Sequence, residues 1–197
     1  YHNMQTVKES GQAMASFQID YDDEVEFAAK RKLFDYARDG AQPWCMVASF
    51  IHPHDPYVAR PEWWDLYSDE EIDMPRHPDY ATDAFAQRVL EGIEAYSKLL
   101  TEEEVRRALR AYYANVSYFD SKIDAWVQTV EEMGQLDNTI IIFTADHGDM
   151  LDEKGLWYKM DFFEHSARLP PNYCRPRRGT GADCKCLFTS GFIANDG

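Results

Sequence analysis

Val105, Leu109, Tyr112, Val116, Phe119, Ile123, Val127, Val130 and Met133 recur at steps of three and four. That spacing lines one face of a single long α-helix over 101–133, which must bury the stripe against another layer. Thr101 and Glu104 stand at capping-box spacing at its start, and Gly134 stops it. Two apolar runs bracket this helix. Trp44-Cys45-Met46-Val47-Ala48-Ser49-Phe50-Ile51 follows Pro43, and Thr139-Ile140-Ile141-Ile142-Phe143 follows the turn residues Asp137-Asn138. Continuous apolar runs of this length read as buried strands. Strand, helical excursion, strand is the order of a right-handed parallel crossover. The expected fold class is therefore α/β, a mostly parallel sheet flanked by helices, with strands 43–51 and 139–145 parallel in one sheet. A helix over 22–40, with Asp22-Asp23 as its N-cap, and another over 82–100 supply further flanking elements.

The 197 residues suffice for one sizeable core. With 35 acidic against 20 basic residues the net charge is −15. Such a chain repels phosphate backbones and anionic lipid, which argues against nucleic acid and membrane surfaces as partners. No apolar run approaches the ~20 residues of a membrane span. Cys45 is alone in the body of the chain, while Cys174, Cys184 and Cys186 crowd its end. Sparse cysteine in the body fits a reducing compartment, so a cytoplasmic location is expected. The segment 170–197 has neither helical nor strand period. Arg175, Arg177, Arg178 and Lys185 outnumber Asp183 and Asp196 there, inverting the charge of the rest. It is expected to be an aberrant, disordered tail.

Chemistry-bearing groups gather at the ends of the two expected strands. Asp146-His147 follows the 139–145 strand, at the sheet edge where open α/β sheets bind ligands. A carboxylate beside a neutral imidazole is an ordinary ligand pair for a divalent cation; the plainer alternative is a capping Asp and a packed His. Lys159, twelve residues beyond His147, can return a positive charge to the same place. His54, held between Pro53 and Pro56 beyond the 43–51 strand, points to the same edge, or else is a solvated loop histidine. Trp157, Tyr158 and Glu164 lie near Lys159 in sequence and supply aromatic faces and a carboxylate that can line a pocket for a cation, with simple packing as the alternative. Trp63-Trp64 are more distant candidates. His52 reads as structural, and Asp149, Asp152 and Lys154 read as a solvated turn.

The stretch TADHGDMLDEKGLWYKMDFFEHSAR closely resembles the metal-site signature of the sulfatase family within the alkaline phosphatase superfamily. Its wording is most similar to the choline-sulfatase branch. The resemblance implies that residues 1–169 are the central part of a larger catalytic domain that hydrolyses a small-molecule sulfate ester, with choline sulfate as first choice. It also implies a metal at Asp146 and His147, calcium by family habit, with manganese open because imidazole is softer than calcium prefers. Pro53-His54-Asp55-Pro56 matches the Pro-His-x-Pro of sulfatases, whose His contacts sulfate oxygens near the leaving group, and Lys159 matches the lysine that shares that task. Sulfatases use a formylglycine made from Cys in C-x-P-S-R, together with an Asp-Asp pair, both N-terminal to the region matched here. Cys174-Arg175-Pro176-Arg177-Arg178 meets only a loose C-x-P-x-R pattern and lies on the wrong side of Asp146. In the family an apolar strand and a Gly-Pro turn follow SAR-x-P, so the tail reads as translated out of frame after Leu169. Codons permitted for Pro171 to Thr189 can yield QIIAGPGVGRARIVNVSLL in a shifted frame. A phosphonate or phosphate ester hydrolase of the same superfamily, or a non-catalytic remnant, is the alternative. The larger protein is expected to be a homo-oligomer if it assembles at all.

Overall fold

The computed structural model describes residues 3–39, 43–75, 84–95, 100–169 and 172–174. Its axis is the long helix expected from the apolar stripe, α5 (Glu102–Glu132). The Thr101 side chain accepts the Glu104 N–H at 3.2 Å, and the Glu104 carboxylate accepts the Thr101 N–H at 2.8 Å. Two donors left unpaired at a helix start are thereby satisfied. Gly134, at φ +66, takes the left-handed turn that ends the helix. Replacing Thr101 with alanine is expected to cost about 1 kcal/mol in a urea titration, the usual worth of such a cap.

Elements α1 (Met4–Lys8), α2 (Phe17–Asp39), α3 (Pro61–Trp64) and the pair β1 (Gly11–Gln12) and β2 (Val58–Ala59) all pack on α5. β1 and β2 are parallel, Gly11 opposite Val58. α4 (Ala84–Gly92) precedes α5, and β3 (Ile141–Phe143) follows it. The core joins Val7, Tyr57, Ala108, Leu109, Ala111, Trp157 and Tyr158, all 2% exposed or less. Ala108 and Ala111 of α5 share this core with Tyr57 and Trp157, which lie outside the helices.

Two expectations need correction here. First, α2 begins at Phe17, where Ser16 accepts the Ile19 N–H at 3.2 Å. Asp22 and Asp23 therefore sit inside the helix, and both are used tertiarily. Asp22 accepts the backbone N–H groups of Ile51 and His52. Asp23 meets Arg60 at 2.6 Å and Lys122 at 2.5 Å.

Second, residues 44–51 form no strand ladder among the described residues. Their burial still alternates with period two, Trp44, Met46, Ala48 and Phe50 inward and Cys45, Val47 and Ser49 outward, as in an extended chain. Trp44 stacks on Tyr36, and Phe50 packs on Phe119 and Trp126. Side-chain packing holds the segment, and Asp22 takes N–H groups at its end that a neighbouring strand would otherwise satisfy. The expected parallel pairing with 139–145 is likewise not formed. β3 pairs antiparallel with β4 (Asn172–Cys174), Ile141 opposite Cys174. Phe143 packs on Phe119, while Ile140 and Ile142 face outward. Both extended segments thus cover the same helix with one face and leave the other bare. Of the tail, only 172–174 is described; the disorder expected for 170–197 otherwise concerns residues outside the described set.

Burial pushes the Asp23 carboxyl up, but hydrogen bonds from Lys122, Arg60 and Tyr118 outweigh it and hold it at about 2. A carboxylate held below its unfolded value contributes stability above about pH 4 and loses it as pH falls through about 2. Its side chain is 35% exposed, so screening reduces the expected worth to about 1 kcal/mol. Asp23→Asn should therefore show a stability deficit at pH 7 that shrinks toward pH 2.

Candidate functional site

Beyond Ile51 the chain turns sharply. The His52–Pro53 and Asp55–Pro56 peptide bonds are both cis, and the His54 N–H donates to the Ile51 carbonyl at 3.1 Å. His52 is buried, its Nδ1 2.6 Å from the Asp22 carboxylate and its ring 5.1 Å from that of Tyr118. The structural role expected for it is what its packing provides. His54 is only half-buried. Its Nδ1 lies 2.8 Å from the Asp55 carbonyl oxygen and 3.2 Å from the Asp55 carboxylate. Both partners only accept, so Nδ1 carries the proton.

The opposite ring nitrogen, Nε2, lies 2.7 Å from Lys159 Nζ. An ammonium has only donors, so Nε2 is the acceptor and His54 is neutral in this pairing. Residues 105 positions apart thus meet in one polar contact. Asp55, 6% exposed, orients the imidazole as the third member of a carboxylate–histidine–lysine chain.

Asp146 and His147 stand where β3 ends. His147 Nδ1 is 2.7 Å from the Gly148 carbonyl oxygen, which places the proton there and leaves Nε2 with its lone pair. That nitrogen is 3.6 Å from an Asp146 carboxylate oxygen, and the carboxylate is 90% exposed. A lone pair and an open carboxylate side by side fit one edge of a divalent-cation site. Among the described residues no group of three or more His, Cys, Asp or Glu converges to complete one.

Gly148 explains how the following chain comes so close. Its N–H donates to the Ser166 carbonyl at 2.8 Å, and a Cβ on it would overlap the His165 carbonyl oxygen. Since a backbone carbonyl cannot swing aside as a side chain can, Gly148→Ala is expected to cost about 3 kcal/mol or more in a thermal melt. It should also displace the short helix α6 (Glu164–Ala167).

The loop between Asp149 and Tyr158 is not the solvated turn expected from its charges. The Asp149 carboxylate accepts the Tyr57 hydroxyl at 2.7 Å, the Tyr158 N–H at 3.0 Å and the Leu151 N–H at 3.1 Å. Burial raises its pKa, the Tyr57 and backbone donors pull it back, and nearby Asp55 adds to the rise. Burial likewise pushes the Tyr57 phenol far up, with Asp149 reinforcing it, so Tyr57 remains a donor. Asp152 is buried as well. Leu151, Asp152, Lys154 and Tyr158 all have positive φ, a concentration of left-handed non-glycine residues that packing must hold in place.

Trp157 is 1% exposed and packs on Tyr57 with ring centroids 6.2 Å apart. It has no open face for a ligand and supports the Lys159 segment from behind. Glu164 is 79% exposed and lies 3.5 Å from Arg168. Trp63 packs toward Tyr118, and Trp64 lies under the Arg110 guanidinium. Asp55 and Asp149 were missed from sequence. The Asp beside His54 was a legible signal, whereas nothing local marks Asp149 as buried. Neither described cysteine fits a formylglycine. Cys45 continues into Met46 and Val47 instead of x-Pro-Ser-Arg, and Cys174 is held in β4.

No helix among the described residues is long and apolar enough to cross a membrane. The family model described as Sulfatase matches residues 3–171. The chain is 46% identical over 177 residues to a choline-sulfatase of Rhizobium meliloti (strain 1021), covering 86% of this chain and 35% of that protein. It is 31% identical over 133 residues to an arylsulfatase of Clostridium perfringens (strain 13 / Type A), covering 68% of this chain and 28% of the relative. The chain therefore spans about a third of the length of the curated relatives it matches. Among solved structures it is similar to a phosphonate monoester hydrolase from Silicibacter pomeroyi, with TM-score 0.67, 23% identity, and coverage of 77% of this chain and 32% of that one. Likeness at that identity shows the fold, an α/β domain of the sulfatase and phosphonate-hydrolase kind, of which this chain supplies a part. On the family match and these relatives together, the chain belongs to the sulfatase family.

Proposed function

We propose that this chain is the leaving-group side of a sulfuric-ester hydrolase, and that the longer polypeptide carrying it converts choline sulfate to choline and sulfate. The observation that supports this most is the contact of His54 Nε2 with Lys159 Nζ at 2.7 Å, in a chain so similar to a choline-sulfatase. Family membership alone reaches only to sulfate-ester hydrolysis; the choice of choline sulfate rests on that relative.

The chemistry follows from the pair. In the 2.7 Å contact the ammonium can only donate, so the proton between them belongs to Lys159 Nζ and His54 Nε2 accepts it. A sulfuryl oxygen entering beside Lys159 takes up the ammonium donors and frees Nε2. Nε2, released from the lysine beside the anionic ester, can then take up a proton from water. His54, oriented through Nδ1 by Asp55, can then hand this proton to the departing alkoxide, while Lys159 balances the charge that develops on the ester oxygens. An alkoxide is a strongly basic leaving group, so its protonation lowers the barrier more than it would for a phenolate.

Asp146 and His147 would hold one edge of a divalent cation, calcium by the carboxylate and manganese by the imidazole. When bound, that cation supplies polarisation of the anionic ester. The nucleophile is assigned to a part of the longer polypeptide outside this chain. For the quaternary ammonium of choline, Glu164 is the exposed carboxylate near this segment, and Trp157 acts only by packing within the core.

Steady-state kinetics of the longer polypeptide with matched sulfate and phosphonate monoesters test the assignment. A kcat/KM at least tenfold higher for the sulfate ester supports it. A preference for the phosphonate would transfer the reading to the phosphonate-hydrolase branch.

A further inference from the structure

His54 and Lys159 stand on two loops that share no strand ladder, so something other than sheet geometry must fix their 2.7 Å contact. We propose that Asp149 is the positioning residue that couples these two loops. This rests on the reading that His54 and Lys159 act on the substrate, although the coupling itself can be measured without turnover. Three observations carry it.

Asp149 Oδ2 accepts the hydroxyl of Tyr57, three residues past His54. Asp149 Oδ1 accepts the N–H of Tyr158, the residue immediately before Lys159. One carboxylate thereby grips both loops at points adjacent to the two groups that meet. The Tyr57 side is rigid. Its ring is 0% exposed, 5.6 Å from that of Tyr112 and 6.2 Å from that of Trp157. The Tyr158 ring is anchored at its far end, its hydroxyl donating to the Asn3 carbonyl at 2.6 Å, so Asp149 bears on the backbone end of the residue. Tyr158 has φ 69, a conformation that a bulky side chain rarely adopts. Its N–H, next to the start of Lys159, is held by Asp149 at 3.0 Å. The Met150 N–H to Tyr158 carbonyl bond at 2.8 Å and the Leu151 N–H to Asp149 bond at 3.1 Å close the loop around the same carboxylate.

The geometry also states which replacement should be tolerated. An asparagine at 149 keeps an oxygen to accept the Leu151 and Tyr158 N–H groups. Its amide can donate to the Tyr57 hydroxyl oxygen, reversing that bond without moving the atoms. An alanine removes all three bonds at once. Tyr57→Phe removes only the bond to the His54 loop.

The test is the side-chain ¹⁵N spectrum of His54 in this 197-residue chain at pH 7.5, with Lys159→Met as the reference for a His54 Nε2 without its donor. Asp149→Ala is expected to move the Nε2 resonance most of the way to the Lys159→Met position, Tyr57→Phe part of the way, and Asp149→Asn hardly at all. Leu33→Ala, a buried truncation in α2 outside the core cluster that holds Tyr57 and Tyr158, serves as the control for general loosening and should leave the resonance in place. In the longer polypeptide, Asp149→Ala should lower kcat about 10²-fold, as displacement of a reacting group by ~1 Å does, and Asp149→Asn should restore most of it. A His54 resonance unmoved in folded Asp149→Ala would overturn the proposal. If Asp149→Ala does not fold, an unmoved resonance in Tyr57→Phe does so instead. A resonance that moves as expected in a protein whose longer form hydrolyses no sulfate ester keeps the coupling and removes the functional reading.

Discussion

Lys159→Ala in the longer polypeptide is expected to lower sulfate-ester turnover by about 10²–10³-fold, the usual effect of removing one preorganised donor from developing charge. The loss should fall mainly on kcat, because the ammonium is worth most when charge accumulates on the ester oxygens. Lys159→Arg should recover little. A guanidinium is a planar fork and does not reproduce the point contact that the ammonium makes with His54 Nε2 at 2.7 Å. His54→Ala should cost a similar factor with an alkyl sulfate. With an aryl sulfate of low leaving-group basicity it should cost less, because a phenolate departs without a proton. Equal losses on both esters would remove the general-acid role from His54 and leave it a binding role only.

Trp157→Ala is the second large effect. The indole is 1% exposed, among the largest fully buried side chains, and packs on Tyr57 within the principal core. Truncating such a ring costs about 3–5 kcal/mol, which for a domain of this size is a substantial share of the whole. Calorimetry on this chain should show a drop in Tm of many degrees. Trp157→Phe should recover more than half of it, since most of the buried apolar area returns. A ligand-facing Trp157 would behave differently, with little change in Tm and a selective rise in KM for a cationic ester.

The parts of the fold that were legible in sequence are those held by local rules. The capping box at Thr101 and Glu104, the stripe along α5 and the stop at Gly134 are each set within one or two turns of chain, and each appears as expected. What sequence did not disclose depends on partners distant along the chain. The run Trp44–Ile51 has the composition of a central strand, but a strand exists only through neighbours. Here Asp22, 29 residues away, takes the Ile51 N–H instead. Asp22 itself looked like a cap because Asp favours caps, and nothing nearby signals that its carboxylate turns inward.

Lys122 is a further case. Its ammonium meets Asp23 and Glu26 of α2 and lies 4.6 Å from the centre of the Tyr118 ring, partners that no spacing along α5 announces. The meeting of His54 with Lys159 was likewise beyond local pattern. Strand-end position suggests a shared edge, and the resemblance to a family in which both groups serve one anion sharpens that to a meeting.

The measurement that bears most directly on the central claim is inorganic sulfate release from choline sulfate, run side by side with two proteins. The longer polypeptide should release sulfate catalytically. This 197-residue chain should release none, with calcium or manganese supplied, because Asp146 and His147 offer only one edge of a cation site and no described residue supplies the nucleophile. Turnover by the 197-residue chain alone, or an inert longer polypeptide at saturating choline sulfate and metal, would contradict the account.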